Sequence, residues 1–282
     1  MPVFYTKEDL TCCLKAIWKR KSSIGFVPTM GALHRGHLSL MEEALAENDF
    51  LVVSIFVNPT QFNNAEDLEK YPRTHQKDID LIYSLTKDAI IYIPSVSDIY
   101  NENIKAESYS FNGLEHVMEG AHRPGHFDGV GTIVKMLFEI TKPTKAYFGE
   151  KDFQQLRIIQ QLNEQENLEI AIVGCPIFRE ENGLAMSSRN ERLSTKAREK
   201  ASLIFKTLQK TAENFKTTSL EKLQKEVETT FKNEKEFTLE YFEIAEEKTL
   251  LEAKIKEENK NYRAFIAVFV ENIRLIDNIP LN

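Results

Sequence analysis

The sequence predicts an α/β protein, a doubly wound parallel sheet followed by a smaller α+β domain, on three observations. Apolar, β-branched runs alternate with amphipathic stretches through residues 1–177, the pattern of strands and helices in βαβ units. Leu51–Val57 is apolar almost throughout, as a strand covered on both faces requires. Beyond about residue 177 the alternation gives way to two helical stretches and then separated strands. The expected domains are therefore 1–177 and 178–282.

In order, Ile24–Val27 is a strand, and a helix follows from Gly36, amphipathic through Leu38–Ala46. The strand Leu51–Val57 ends at the turn signal Asn58-Pro59. A helix over Asp78–Leu85 leads to a strand at Ala89–Ile93, stopped by Pro94. Ser108–Phe111 is irregular. Val130, Val134, Leu137 and Phe138 give Asp128–Thr141 helical periodicity. Ala146–Phe148 is a short strand, Gln154–Glu166 a helix with Leu156, Ile159 and Leu162 on one face, and Ile170–Val173 a strand. Arg179–Arg192 is polar and loop-like. Ser194 or Thr195 caps a helix running to about Phe215. Leu220–Phe231 is a helix, and Phe237–Ile244 and Phe265–Val270 are strands.

Composition narrows the functions. An apolar fraction of 42% and a net charge of −7 over 282 residues fit an ordinary globular protein. They disfavour sequence-independent nucleic-acid binding, which depends on Lys and Arg. Cys12, Cys13 and Cys175 show no disulfide or zinc spacing, which suits a reducing compartment. Residues 1–10 carry Lys7, Glu8 and Asp9, unlike a signal peptide. No apolar run approaches the roughly 18 residues of a membrane span. No nucleic-acid or membrane partner is expected, and the expected location is the cytoplasm.

In open parallel sheets ligands sit beyond the carboxyl ends of the strands. Three candidate loops lie there: His34–His37, Asn58–Gln61 and Gly149–Gln155. His34 and His37 flank Gly36 where a helix begins, and a helix N-terminus favours phosphate. Histidine adds donors whose charge is tuned near neutrality. A purely structural turn is the plain alternative. Lys151 and Asp152 read equally as a surface turn, with Asp152 capping the next helix, or as a point charge on phosphate. Ala185-Met186-Ser187-Ser188-Arg189-Asn190 is either a linker or a clamp for triphosphate oxygens, Arg189 acting on transition-state charge. Gln61 and Gln155 are uninformative singly, and Arg123–Phe127 is a rigid turn or a site contact.

Taken together, six segments resemble the pantothenate synthetase (pantoate–β-alanine ligase) family: Pro28–His37, Val57–Phe62, Tyr71–Thr74, Arg123–Phe127, Phe148–Leu156 and Gly183–Asn190. The resemblance implies a Rossmann-like nucleotidylyltransferase domain with a small C-terminal domain closing over it, in a homodimer. It implies ATP-dependent joining of pantoate to β-alanine, releasing AMP and pyrophosphate, on the route to coenzyme A. ATP would then be held by Met30, Gly31, Ala32, Leu33, His34, Arg35, Gly36, His37, Gly149, Glu150, Lys151, Asp152, Phe178, Met186, Ser187, Ser188 and Arg189. His34, His37, Lys151 and Arg189 would be catalytic, and Asn58, Gln61 and Gln155 would bind substrate. Mg²⁺ would accompany ATP. Its protein ligands stay unassigned, because Lys77 stands where some relatives are acidic; Asp78 is the nearest candidate. Phe178 stands where valine is frequent on the adenine side. Two other readings stay open: nucleotidyl transfer to a phosphorylated acceptor, and a non-enzymatic nucleotide-binding protein.

Overall fold

The computed structural model of the protein describes residues 2–62, 65–101 and 103–282. The chain divides into two compact units, Met1–Glu150 with Gln155–Pro176, and Lys151–Gln154 with Ile177–Asn282.

The first unit runs β1 (Val3–Phe4), α1 (Lys7–Lys19), β2 (Ile24–Thr29), α2 (Arg35–Glu47), β3 (Phe50–Ile55), α3 (Ala65–Lys70), α4 (His75–Leu85), β4 (Ile90–Tyr92), α5 (Val96–Tyr100), α6 (Met118–His122), α7 (His126–Thr141), β5 (Lys145–Gly149), α8 (Phe153–Gln165) and β6 (Ala171–Cys175). Helix α8 begins in the four-residue segment that groups with the second unit. Among the described residues six strands form one parallel sheet, in the order β1-β4-β3-β2-β5-β6. The order reverses between β2 and β5, and a parallel sheet binds ligands where it reverses. Pairing of β2 with β5 covers Gly25↔Lys145 and Phe26↔Ala146, yet the strands run on to Thr29 and Gly149. They splay toward their carboxyl ends. Pro28 lies in this splayed stretch and brings no N–H to the ladder.

Burial explains the sheet. Val27, Leu51, Val53, Ile55 and Ile91 form a core with Leu38, Met41 and Ala44 of α2 and Ile79 and Ile82 of α4. Phe26 meets Phe138 of α7 edge-on, ring centroids 6.2 Å apart. The expected fold class is the one observed, with strand and helix ends shifted by a few residues. Strand β1 and helix α1 lie outside the expected elements. Two residues are too few to show alternation, and α1 buries only the narrow stripe Leu10, Leu14 and Ile17.

The second unit contains α9 (Thr195–Lys200), α10 (Ser202–Asn214), α11 (Leu220–Lys232), β7 (Phe237–Glu246), β8 (Tyr262–Val270) and β9 (Ile273–Pro280). The strands form an antiparallel sheet in the order β7-β8-β9. Ser194 caps α9, its Oγ accepting the Ala197 N–H at 3.2 Å. The single helix expected to run to Phe215 is broken at Ala201, where no Gly or Pro signals it. Leu223, Val227 and Phe231, four residues apart, set α11 onto the core with Ile204, Leu208, Ile266 and Val268. Strand β9 also lies outside the expected elements, because buried Asp277 and Asn278 interrupt its apolar alternation.

Candidate active site

The loop after β2 is a tight turn built around a buried carboxylate. Gly31 and Ala32 both take positive φ, 83° and 49°, which glycine adopts at no steric cost and alanine only under constraint. Asp78, 2% exposed, supplies that constraint. Its Oδ2 accepts the Ala32 N–H at 3.2 Å and its Oδ1 the Leu33 N–H at 2.8 Å, while the Thr74 hydroxyl donates to both oxygens at 3.3 Å. A Cβ on Gly31 would stand 3.1 Å from Asp78 Oδ2. The Thr29 hydroxyl closes the turn, donating to Ser54 O at 2.8 Å and accepting the Gly31 N–H at 3.3 Å. The amides of Ala32 and Leu33 are thus committed to Asp78.

The turn delivers His34 to the N-cap of α2. The backbone N–H of His34 donates to His37 Nδ1 at 3.2 Å, and the His37 N–H donates to His34 O at 2.8 Å. The ring centroids are 4.0 Å apart. Because Nδ1 accepts, the network assigns the neutral His37 proton to Nε2. His37 therefore presents a donor on the far side of its ring.

The loop after β3 holds a second constellation. Asn58 caps a 3₁₀ turn over Pro59–Gln61. It is 1% exposed, and its amide is engaged on both sides. Nδ2 donates to Gly129 O at 3.0 Å and to Gln61 Oε1 at 3.2 Å. Oδ1 accepts from the Tyr100 hydroxyl at 2.6 Å and the Thr60 hydroxyl at 3.1 Å. Gln61 O is held by His126 Nδ1 at 2.8 Å and by an Arg123 donor at 3.4 Å, so the Arg123–Phe127 segment braces this turn. Gly129 allows α7 to press against it: a Cβ there would lie 2.4 Å from Thr60 O. Gln61 Nε2 donates to the Met30 sulfur, a weak acceptor.

At the end of β5, a Cβ on Gly149 would meet nothing within 4 Å. Gln155, half-buried in the first turn of α8, makes no side-chain hydrogen bond among the described residues. Cys175 ends β6 buried, and desolvation pushes its thiol up to about 12, with smaller contributions from Glu43, Glu150 and Glu47, so it stays an unreactive thiol.

The second unit carries the remaining candidates. Lys151 Nζ stands 3.5 Å from Asp152 Oδ1. The carbonyl of Lys151 accepts from Asn278 Nδ2 at 2.9 Å, and Asn278 Oδ1 accepts from Arg263 at 2.7 Å. The preceding residue, Asp277, accepts two bonds from Arg179, at 2.7 and 3.0 Å. Burial pushes Asp277 upward, while Arg179 and the Asn278 N–H pull it down. Arg179 belongs to a hairpin in which the Met186 N–H donates to Phe178 O at 2.9 Å and the Glu180 N–H to Leu184 O at 2.8 Å, turning at Gly183 with φ 92°. Phe178 and Met186 therefore sit side by side, Phe178 37% exposed. Ser187 caps a 3₁₀ turn over Ser188–Arg192, its Oγ accepting the Arg189 N–H at 3.3 Å. Glu180 anchors the stretch through Arg198, at 2.9 and 3.0 Å, and through Asn190, at 2.7 Å. The polar segment expected as a loop is a braced hairpin, tethered through Asp277-Asn278 to the Lys151 turn.

Sequence reasoning misses Tyr100, Arg263, Asp277 and Asn278, none of which stands in a recognisable motif. It reaches Asp78 only as a neighbour of the metal, and the role of this carboxylate in the turn has no local sequence signal.

The sequence model of the family described as pantoate-beta-alanine ligase matches residues 2–280. The pantothenate synthetase of Flavobacterium psychrophilum is 58% identical over 281 residues, covering 100% of both chains. That of Christiangramia forsetii is 53% identical, again over 100% of both. The crystal structure of pantothenate synthetase from Thermus thermophilus superposes with a TM-score of 0.91 at 37% identity, covering 100% of this chain and 99% of that one. A pantoate–β-alanine ligase from Francisella tularensis, described as complexed with beta-gamma ATP and β-alanine, gives 0.81 at 37% identity, covering 100% and 98%.

Proposed function

The chain belongs to the pantoate–β-alanine ligase family, and on that premise we propose how its residues carry out the family's reaction. The enzyme condenses (R)-pantoate with β-alanine at the expense of ATP, giving pantothenate, AMP and pyrophosphate through a pantoyl adenylate. What supports this reading most is the pair formed by His37 and Gln61 beyond adjacent strands. The protein orients both: the His34 N–H holds His37 Nδ1, Asn58 holds the Gln61 carbonyl end, and the Met30 sulfur accepts from Gln61 Nε2.

In the first step a pantoate carboxylate oxygen attacks the α-phosphorus of ATP, and pyrophosphate leaves. His37 Nε2 and His34 donate to phosphate oxygens as charge builds there. Lys151, Ser187, Ser188 and Arg189 hold the departing β and γ groups. Met30, Gly31 and Gly36 line the adenine side, with Gly149 and Asp152 toward the ribose. Gln61 Nε2 exchanges the Met30 sulfur for a pantoate oxygen, a stronger acceptor, and Gln155 offers a second neutral amide. In the second step the amine of β-alanine attacks the acyl carbon. AMP is expelled and the amine loses a proton. Positioning by neutral amides leaves the pantoate carboxylate nucleophilic.

Among the described residues no group of three or more His, Cys, Asp or Glu is arranged to hold a metal ion. Both oxygens of Asp78 face N–H and hydroxyl donors. The residues present do not form a magnesium cage, and we assign Mg²⁺ to the nucleotide substrate, held by phosphate and water oxygens as is usual for this ion. A cytoplasmic homodimer belongs to the same proposal, supported by the family resemblance. Among the described residues no helix is long and apolar enough to cross a membrane.

Release of AMP measured with each substrate omitted in turn tests the reading. AMP should form in steady state only when pantoate and β-alanine are both present, and labelled pyrophosphate should exchange into ATP with pantoate alone. ADP as product would overturn it.

A further inference from the structure

We propose that Tyr100, which lies outside every nucleotide or substrate motif of the chain, is a positioning residue that fixes which end of the Gln61 amide meets pantoate. The inference rests on the ligase reading above and assigns the polarity of its acid-binding site.

An amide can be turned end for end with little change in shape, so its partners decide which atom faces which way. Here the decision begins at a group that cannot be reversed. Gly129 O is a backbone carbonyl and only accepts, so the Asn58 atom 3.0 Å from it is Nδ2. The opposite end, Oδ1, faces two hydroxyls and the Thr60 N–H. Tyr100 makes the shortest of these contacts, at 2.6 Å. Tyr100 is itself 4% exposed, and burial pushes its hydroxyl above the ordinary value against smaller downward pulls from Thr60 and Asn58. It is therefore held as a proton donor. Its single proton goes to Asn58, and the one Thr60 hydroxyl proton is shared between Asn58 Oδ1 at 3.1 Å and the phenolic oxygen at 3.0 Å.

With Asn58 set, its second Nδ2 proton reaches Gln61 Oε1 at 3.2 Å. The carbonyl end of Gln61 is then occupied from behind. The other end is Nε2, which carries two N–H groups and no acceptor and donates to the Met30 sulfur, a weak acceptor that a ligand oxygen would replace. A site of this polarity selects an oxygen that accepts, a carboxylate or a hydroxyl lone pair, and disfavours a ligand group that only donates. The order of control runs from Gly129 O and Tyr100 through Asn58 to Gln61, all within the first unit. Tyr100 touches no substrate on this account. Its effect passes through two amides.

Tyr100→Phe removes the phenolic donor and keeps the ring. Steady-state kinetics on the full chain should show the pantoate KM raised about fivefold to tenfold, the ratio expected for weakening one hydrogen bond, with the ATP KM unchanged within about twofold. In a Gln61→Ala background the same substitution should add nothing further, because the group it orients is gone. Equal shifts in the ATP and pantoate KM values, or a full additional loss in the Gln61→Ala background, would overturn the proposal. Should Tyr100→Phe not accumulate as folded protein, Thr60→Val carries the test. Thr60→Val should raise the pantoate KM and Thr60→Ser restore it, and failure of that rescue would overturn the proposal equally. If the unmodified enzyme shows no pantoate-dependent pyrophosphate exchange, the ligase reading itself falls. If it exchanges normally and the variants are unselective, only the role of Tyr100 falls.

Discussion

In the proposed mechanism His37 acts on a phosphate through Nε2, because Nδ1 already has a partner. The His34 N–H at 3.2 Å sets the tautomer, so the donor is in place before any ligand arrives. Preorganised donors of this kind are strongest where water is excluded. Lys151 is placed differently: its main chain is held by Asn278 at 2.9 Å, and its ammonium makes a long contact to Asp152 at 3.5 Å. Replacing either group with alanine is expected to lower kcat by about 10²–10³, the scale for losing one transition-state donor. Steady-state AMP formation, with circular dichroism to establish folding, checks this, and near-normal turnover in a folded variant would exclude the role. At this scale the sequence is partly readable. His34, His37, Gln61 and Lys151 stand in short motifs whose chemistry can be argued from residue type. Tyr100 and Asp78 do not, because their importance lies in which amide or N–H they meet after folding.

Among the elements, α7 governs the Pro59–Gln61 turn more than its sequence suggests. Its helical period is legible from Val130, Val134, Leu137 and Phe138, and those residues are buried. What the period does not reveal is that Gly129 sets the distance to the Pro59–Gln61 turn. With a Cβ only 2.4 Å from Thr60 O, a backbone atom, something must shift. Gly129→Ala is therefore expected to destabilise the protein by about 1–3 kcal/mol, the usual range for overpacking, and to raise the pantoate KM. Thermal melting and substrate titration check the two effects separately. A melting curve and a KM both unchanged would mean that helix and turn do not press on each other. The same logic explains β9. Asp277 occupies a position where the alternation through Ile273 and Leu275 calls for an apolar side chain, and Asn278 is buried where it calls for an exposed one, because one holds Arg179 and the other the Lys151 carbonyl. The pattern that hides the strand from sequence reasoning is the one that braces Arg179 and the Lys151 turn.

For the molecule as a whole, the fold class follows from alternation and its loss, since these report burial directly. The assignment of short segments to one unit or the other does not, because it depends on contacts made over long sequence separations. The backbone leaves the first unit after Glu150, returns at Gln155 and leaves again after Pro176. The carboxy-terminal unit is thus threaded by four residues synthesised well before the rest of it. Phe153 in that stretch lies under the guanidinium of Arg263, 3.9 Å from the ring centroid, and its ring stands 5.9 Å from that of Phe265. A fragment of residues 177–282 made on its own would have a hole where this ring belongs and an Asn278 amide without the Lys151 carbonyl. Such a fragment should melt early and be complemented by a synthetic peptide spanning residues 145–165, with chemical-shift changes centred on Arg263 and Asn278. On the ribosome the same dependence means that the late-emerging unit completes its core only by capturing a turn already made.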